Sequence, residues 1–405
     1  MREVLRVSST IHIRGIDPLL FGDGRPFHNE DGALSARTLS LPLPGTLAGM
    51  LRTHSISSEI GKDKNFQLNP DGTWPPNAVQ AARAIGVSGP ILKRNSTVLF
   101  PAPVDCVVYK PSNRKNKKTV QAMQLKPMKL QHGNGCNLPN GMLPLGITKD
   151  DKPEPGYNYW PFDNYVKWLE NYKGSPELDS NEWKIHGLDT EQRVHAAIDE
   201  STGSSMEGML YTTTNVCFDE MTPTRNTFWS LLSKVDCNIE TGAASFGGER
   251  RLAAIEQASE SDWPSCPDAL KNLLQSTMKI GGLIRMVLVT PALFSAGWRP
   301  GWLDSETMTG TPPGLDNIQL RLISAAVPRF KPVSGWDYAK RVPKPVRWMA
   351  PAGSVYFFEV VDGNVSDFAE NAWLQSMSDD IQDRRDSYGL AAWGVWEYHT
   401  EDTVE

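Results

Sequence analysis

The sequence lacks the short signatures of the common catalytic classes. It has no GxxxxGK[ST] phosphate loop, no GxGxxG opening a helix, no HExxH and no GxSxG. Its seven histidines are scattered, at positions 12, 28, 54, 132, 186, 195 and 399, with no clustered His/Asp set of the metal-phosphohydrolase kind. The five cysteines (106, 136, 217, 237 and 266) form no CxxC pair and are odd in number. A disulfide framework and a structural zinc site are therefore not expected. No run reaches the ~18–20 apolar residues that span a bilayer. The most apolar segment, IGGLIRMVLVTPALF, is interrupted by Arg285 and Pro291. The N-terminal residues carry no signal-peptide pattern. These absences lead to the expectation of a cytoplasmic protein without catalytic residues, metal or cofactor.

The chain that remains has 405 residues, too many for one compact core, so two domains or three are expected. Hydrophobic residues make up 40% and charged residues 22%, which suits a folded rather than a disordered chain. Gly and Pro number 63 together, favouring short strands and loops over long helices. Residues 4–16 read as a strand followed by a glycine-rich loop. Leu47, Met50, Leu51 and His54 fall at i, i+3, i+4 and i+7, predicting a short helix with Thr46 as N-cap. Residues 90–109 read as two extended segments, 157–172 as aromatic-rich and helical in its second half. Residues 193–198 and 209–218 have strand composition. Further on come a short helix from Asp268, then strands over 283–294, 321–327 and 353–361. This rhythm of strands with few helices predicts an α+β fold built on antiparallel sheets.

Acidic charge is missing from one long segment. No Asp or Glu occurs between Cys106 and Thr148, while residues 109–129 hold Lys110, Arg114, Lys115, Lys117, Lys118, Lys126 and Lys129. Without those seven, the balance of 41 basic to 47 acidic residues would be 34 to 47. Such segregation in an acidic protein can repel nucleic acid over most of the surface and attract it along one track. The stretch reads as a protruding hairpin or loop that follows a phosphate backbone, with Met123, Leu125 and Met128 as an apolar wedge; a solvated surface loop is the competing reading. A second basic segment, 329–348, carries Lys340 and Arg341 together with tryptophans and a tyrosine that could stack on bases.

In order along the chain stand GDGRPF, PLPGTLAGMLR, GPIL…VLFPAPVD, E-x-RVHAAID…EGMLY, GGERR, VTPALFSAGWRP, PAGSVYFFEV and a glycine-containing C-terminus. This succession, from Gly22 to Trp396, resembles the RAMP superfamily of CRISPR-associated proteins. Within it, the chain is similar to the third-subunit family of type III-B (Cmr) effector complexes. The resemblance implies two ferredoxin-like (RRM-like) domains with long loop insertions, placed here at 1–250 and 251–405, with a thumb-like insertion at about 106–150. It implies a non-catalytic scaffold that holds the 5′ repeat-derived handle of the guide RNA. Its neighbours would be a large polymerase-like signalling subunit and a backbone RAMP subunit, with target RNA met indirectly and no membrane. Such relatives often end in a glycine-dense loop; here residues 388–394 depart from that pattern, with only Gly389 and Gly394.

Further candidate RNA-binding residues follow from these motifs. Arg25 and Phe27 match the RPF element, one for phosphate and one for stacking. Arg52 lies one turn along the first helix. Gly247 and Gly248 could form an anion-binding backbone nest closed by Arg250 and Arg251, with Glu249 pairing to a neighbouring arginine. The alternative function is a metal-independent RAMP endoribonuclease processing CRISPR RNA, with His28 or His12 as base.

Overall fold

The computed structural model describes residues 8–22, 35–60, 69–70, 73–110, 119–130, 133, 135–139, 141–147, 152–171, 177–179, 183–222, 225–337, 339–363 and 368–399. Two antiparallel sheets organise it. The first has at its centre Leu252–Gln257, Ser9–Gly15, Arg225–Val235 and Val87–Arg94, side by side in that order. Numbered along the chain this is the 4-1-3-2 order of a ferredoxin-like unit. Helix Pro44–Ile60 connects its first two strands. The second sheet places Gln319–Ala326, Val355–Asp362, Leu283–Leu288 and Leu390–Val395 side by side, the same order read from the other edge. The α+β fold with paired ferredoxin-like units thus holds. The first sheet takes in Leu252–Gln257 and so runs past residue 250.

Strand alternation explains how the layers form. Ile11, Ile13, Leu92, Leu231 and Val235 face Leu47 and Leu51 of the helix, closing one core. Their neighbours Ile91 and Leu232 point the other way. They join a larger core with helix Phe162–Leu169, helix Asp268–Thr277 and the whole second sheet. The two units therefore share apolar contacts rather than hanging on a linker. The helix starts at Pro44, so Thr46 lies in its first turn and is not the cap. The C-terminal segment is no loop: Leu390–Val395 is a strand buried at every position, hydrogen-bonded to Leu283–Leu288. Its glycine spacing marks close packing.

Between the second and third strands of the first unit lie residues 95–224, a very long insertion. Its described residues include two hairpins. One pairs Cys106–Tyr109 with Thr119–Gln124. The other pairs Asp189–Ile198 with Ser205–Cys217. Among the described residues no helix is long and apolar enough to cross a membrane.

Candidate nucleic-acid interface

The basic stretch is a hairpin at its base. Cys106–Tyr109 and Thr119–Gln124 are its arms; Arg114, Lys115, Lys117 and Lys118 lie outside the described residues, on the connection between them. Of the expected wedge, Leu125 and Met128 are half-buried and follow the second arm. Met123 is buried, as are Val120 and Ala122, so the hairpin turns its apolar face to the core. Lys110 forms an ion pair with Glu154 at 2.5 Å, which partly matches its charge within the chain. Lys126 is half-buried beside the short pairing with Leu145–Gly146. Lys129 is exposed, its ammonium 4.7 Å from the centre of the Tyr398 ring.

Arg52 does not face the surface. It is buried, and its guanidinium is used up internally. Nη1 meets Asp386 at 2.5 Å, Nε and Nη2 donate to the Ile85 carbonyl at 3.1 and 2.8 Å, and Nη2 also reaches the Arg385 carbonyl at 3.1 Å. It ties the first helix to the loop before the last strand. Arg52→Ala should therefore cost about 2 kcal/mol, the scale of lost charge-assisted bonds. The check is a urea melt beside an RNA titration: a lowered midpoint with unchanged RNA affinity is the expected result.

The FGGERR turn is also rearranged relative to expectation. Gly247 has φ of +82°, and a Cβ there would lie 2.3 Å from the Leu20 carbonyl oxygen, so glycine is required. The Gly248 N–H, however, donates to that same carbonyl at 2.7 Å. It is not available to an anion, and the two glycines do not make a nest. Arg251 pairs with Glu249 at 3.1 Å, the partner expected for that glutamate. Arg250 is exposed. Lys340 and Arg341 share an exposed turn joining Trp336–Asp337 to Val342–Pro343. Arg25, Phe27 and His28 lie outside the described residues.

His12 is not isolated. Its Nε2 lies 3.1 Å from Asp262, and Lys93 reaches Asp262 at 3.1 Å and His12 at 3.5 Å. Burial works against the Asp262 carboxylate, but the hydrogen bonds from Lys93 and His12 outweigh it and leave its pKa lowered. The three groups hold one another through His12 Nε2, while His12 Nδ1 is buried without a hydrogen-bond partner. They strap the turn Glu260–Asp262 to the face of the first sheet. Among the described residues no group of three His, Cys, Asp or Glu side chains is placed to hold a metal ion.

Strand composition alone did not reveal the long hairpin of Asp189–Ile198 and Ser205–Cys217. Register pairs Val194 with Thr212 and Ala196 with Leu210, so these four share one face, and Ile198 follows in the same alternation. Val194 is 71% exposed and Leu210 62%. An apolar ribbon face left in water marks a surface built to be covered. On the opposite face, the His195 and Tyr211 rings stack at 4.9 Å. The tip is organised by Asp199, which accepts from the Ser201 hydroxyl and from the Ser201 and Thr202 N–H groups; these bonds hold its carboxyl below the usual range.

The sequence matches the family of CRISPR-associated proteins described as Cas_Cmr3 over residues 11–396. The chain belongs to the Cas_Cmr3 family. It is accordingly a type III CRISPR effector subunit. No curated protein sequence matches it. Among solved structures, a chain of the type III-B Cmr-beta complex bound to cognate target RNA and AMPPnP is similar at 15% identity and a TM-score of 0.43, covering 86% of each chain. A chain of the Csm3–Csm4 subcomplex of the type III-A interference complex is similar at 10% identity and 0.35, covering 88% of this chain and 94% of that one. At such scores the structural likenesses decide nothing; the family match does. The ferredoxin-like order of both sheets was established from the strands themselves.

Proposed function

We propose that this Cas_Cmr3-family chain is a non-catalytic scaffold that holds the 5′ repeat-derived handle of the guide RNA. On this reading it bridges the large polymerase-like subunit to the backbone filament of a type III-B complex. The observation that carries the proposal is the family match over residues 11–396. The charge distribution of the sequence and one exposed ribbon support it. Basic residues are concentrated on one hairpin connection of an otherwise acidic chain. The separate hairpin Asp189–Cys217 offers a protruding apolar face. That hairpin takes over the thumb-like role expected of residues 109–129, because its apolar side chains point outward and those of the basic hairpin point inward.

The experiment is a titration of purified protein with labelled guide RNA in EDTA, across a salt series. If the basic stretch neutralises about four phosphates, fourfold more salt should weaken binding about fiftyfold, from a single-strand slope of roughly −0.7 per phosphate. Replacing Lys115, Lys117 and Lys118 by alanine should flatten the slope by about 2. An unchanged slope would remove the stretch from the RNA path. The endoribonuclease reading is tested in the same tubes. His12 Nε2 is held by Asp262 and Lys93, so a specific cut of repeat RNA is not expected. A cut abolished by His12→Ala or His28→Ala would replace the scaffold reading.

A further inference from the structure

A groove of about 570 Å³ opens beside the second sheet, lined by Leu138, Met142, Trp298, Ala325, Phe330 and Trp348 among others. Its volume is in the range of small-ligand sites. Two of its walls are unusual for a folded domain. Phe330 and Trp348 stand on the ribbon in which Lys331–Val333 pairs with Arg347–Met349. Alternation on this ribbon sends Val333 and Met349 inward, where both are buried, and sends Phe330, Pro332 and Trp348 outward. Arg347 also turns inward, gripping Asp383 with two hydrogen bonds of 2.7 Å. The outward rings stack on each other at 4.4 Å and 18°, yet Trp348 remains 58% exposed and Phe330 43%. The Arg329 guanidinium lies 6.0 Å from the centre of the Phe330 ring. These aromatics are not core. They form a stacked platform with exposed ring surface.

The charge of the platform's own segment selects its occupant. Arg329 lines the groove, and Lys340, Arg341 and Lys344 are exposed in the same segment. The one acid among residues 329–348, Asp337, is engaged by the N–H groups of Ala339 and Lys340. Aromatic rings and arginine occur at protein interfaces as well, but lysine is depleted there, and aromatic rings in a lysine-bearing segment suit single-stranded nucleic acid. We infer that the groove binds an unstacked base of single-stranded RNA on the Phe330–Trp348 platform, with the adjoining phosphates met by the basic residues of the same segment. This rests on the RNA-binding reading above but adds a site apart from the hairpins.

The test uses full-length protein and single-stranded RNA carrying 5-iodouridine. Irradiation of the wild-type complex followed by peptide mass spectrometry should place a crosslink on Trp348 or Phe330. Trp348→Ala and Phe330→Ala should each weaken RNA binding about tenfold with the salt slope unchanged, because a stacking surface and no charge is removed. Trp348→Phe should restore most of the loss. Wild-type binding with no crosslink in this ribbon and no loss in either variant would overturn the groove assignment alone. Loss of another subunit from the complex at unchanged RNA affinity would assign the groove to a protein partner instead, and also overturn it. If wild-type protein binds no RNA at all, the underlying RNA-binding reading fails with it.

Discussion

Replacing Arg285 with methionine should destabilise the chain by about 3–5 kcal/mol, as expected when one partner of a buried ion pair is removed. Arg285 sits in a central strand of the second sheet and is fully buried, as is Asp105 from the insertion of the first unit. One guanidinium nitrogen binds Asp105 and another binds the Trp168 carbonyl. Asp105 also accepts from the Trp168 indole at 3.0 Å and from Gln124 at 3.1 Å. This cluster joins the basic hairpin, helix Phe162–Leu169 and the second sheet. Methionine would fill the space of the arginine stem but leave the buried Asp105 carboxylate without its cationic partner. The pair itself is not the source of the penalty; the orphaned charge is. The double replacement Arg285→Met with Asp105→Leu should therefore recover much of the loss, and a urea-denaturation cycle of the single and double variants reads this directly. A double variant as unstable as the sum of the singles would show that the two residues act separately. RNA affinity conferred by the hairpin should fall in the single variant, since its base loses its anchor.

The sequence showed Arg285 as an interruption of an apolar run, but not what it was for. Asp105 stands 180 positions away, and no local pattern pairs them. Arg52 illustrates the same limit with a worse outcome. Helical position alone suggested an exposed side chain, while its partner Asp386 is 334 residues distant. Signals that depend on neighbours in sequence were legible. The helix at Leu47, Met50 and Leu51, the strand runs near 283, 321 and 353, and the helical half of residues 157–172 all formed, because local periodicity selects the face that is buried. The long hairpin was half legible. Its arms had strand composition, and Asp-Glu-Ser-Thr-Gly-Ser between them is turn chemistry, with Asp199 capping the turn and Gly203 at φ of +67°. The basic stretch drew attention by charge, whereas the exposed ribbon carries its message in which face is left uncovered. Burial of that kind depends on tertiary packing and cannot be read from composition.

Gly394→Val should be nearly as damaging as the loss of Arg285, at about 3 kcal/mol, the upper end for an over-packed core. Gly394 lies opposite Arg285 in the pairing of the last strand with Leu283–Leu288, so both positions face the same side of the sheet. A Cβ at Gly394 would stand 2.4 Å from the Leu169 carbonyl oxygen and 2.8 Å from its Cα. These are backbone atoms of the last turn of helix Phe162–Leu169 and cannot swing aside. The missing side chain lets that turn settle on the sheet, which brings the Trp168 carbonyl to the Arg285 guanidinium. Valine would lift the helix end, so the steric cost and a weakened Arg285 cluster arise together. Gly394→Val combined with Arg285→Met should then cost less than the two singles added, because each disturbs the same junction. Gly49 supplies the control. It is exposed within the first helix, and an added Cβ meets nothing within 4 Å. Gly49→Ala should stabilise by up to about 1 kcal/mol through helix propensity. Full additivity of Gly394→Val with Arg285→Met in urea melts would separate the glycine from the buried pair and assign it to sheet packing alone.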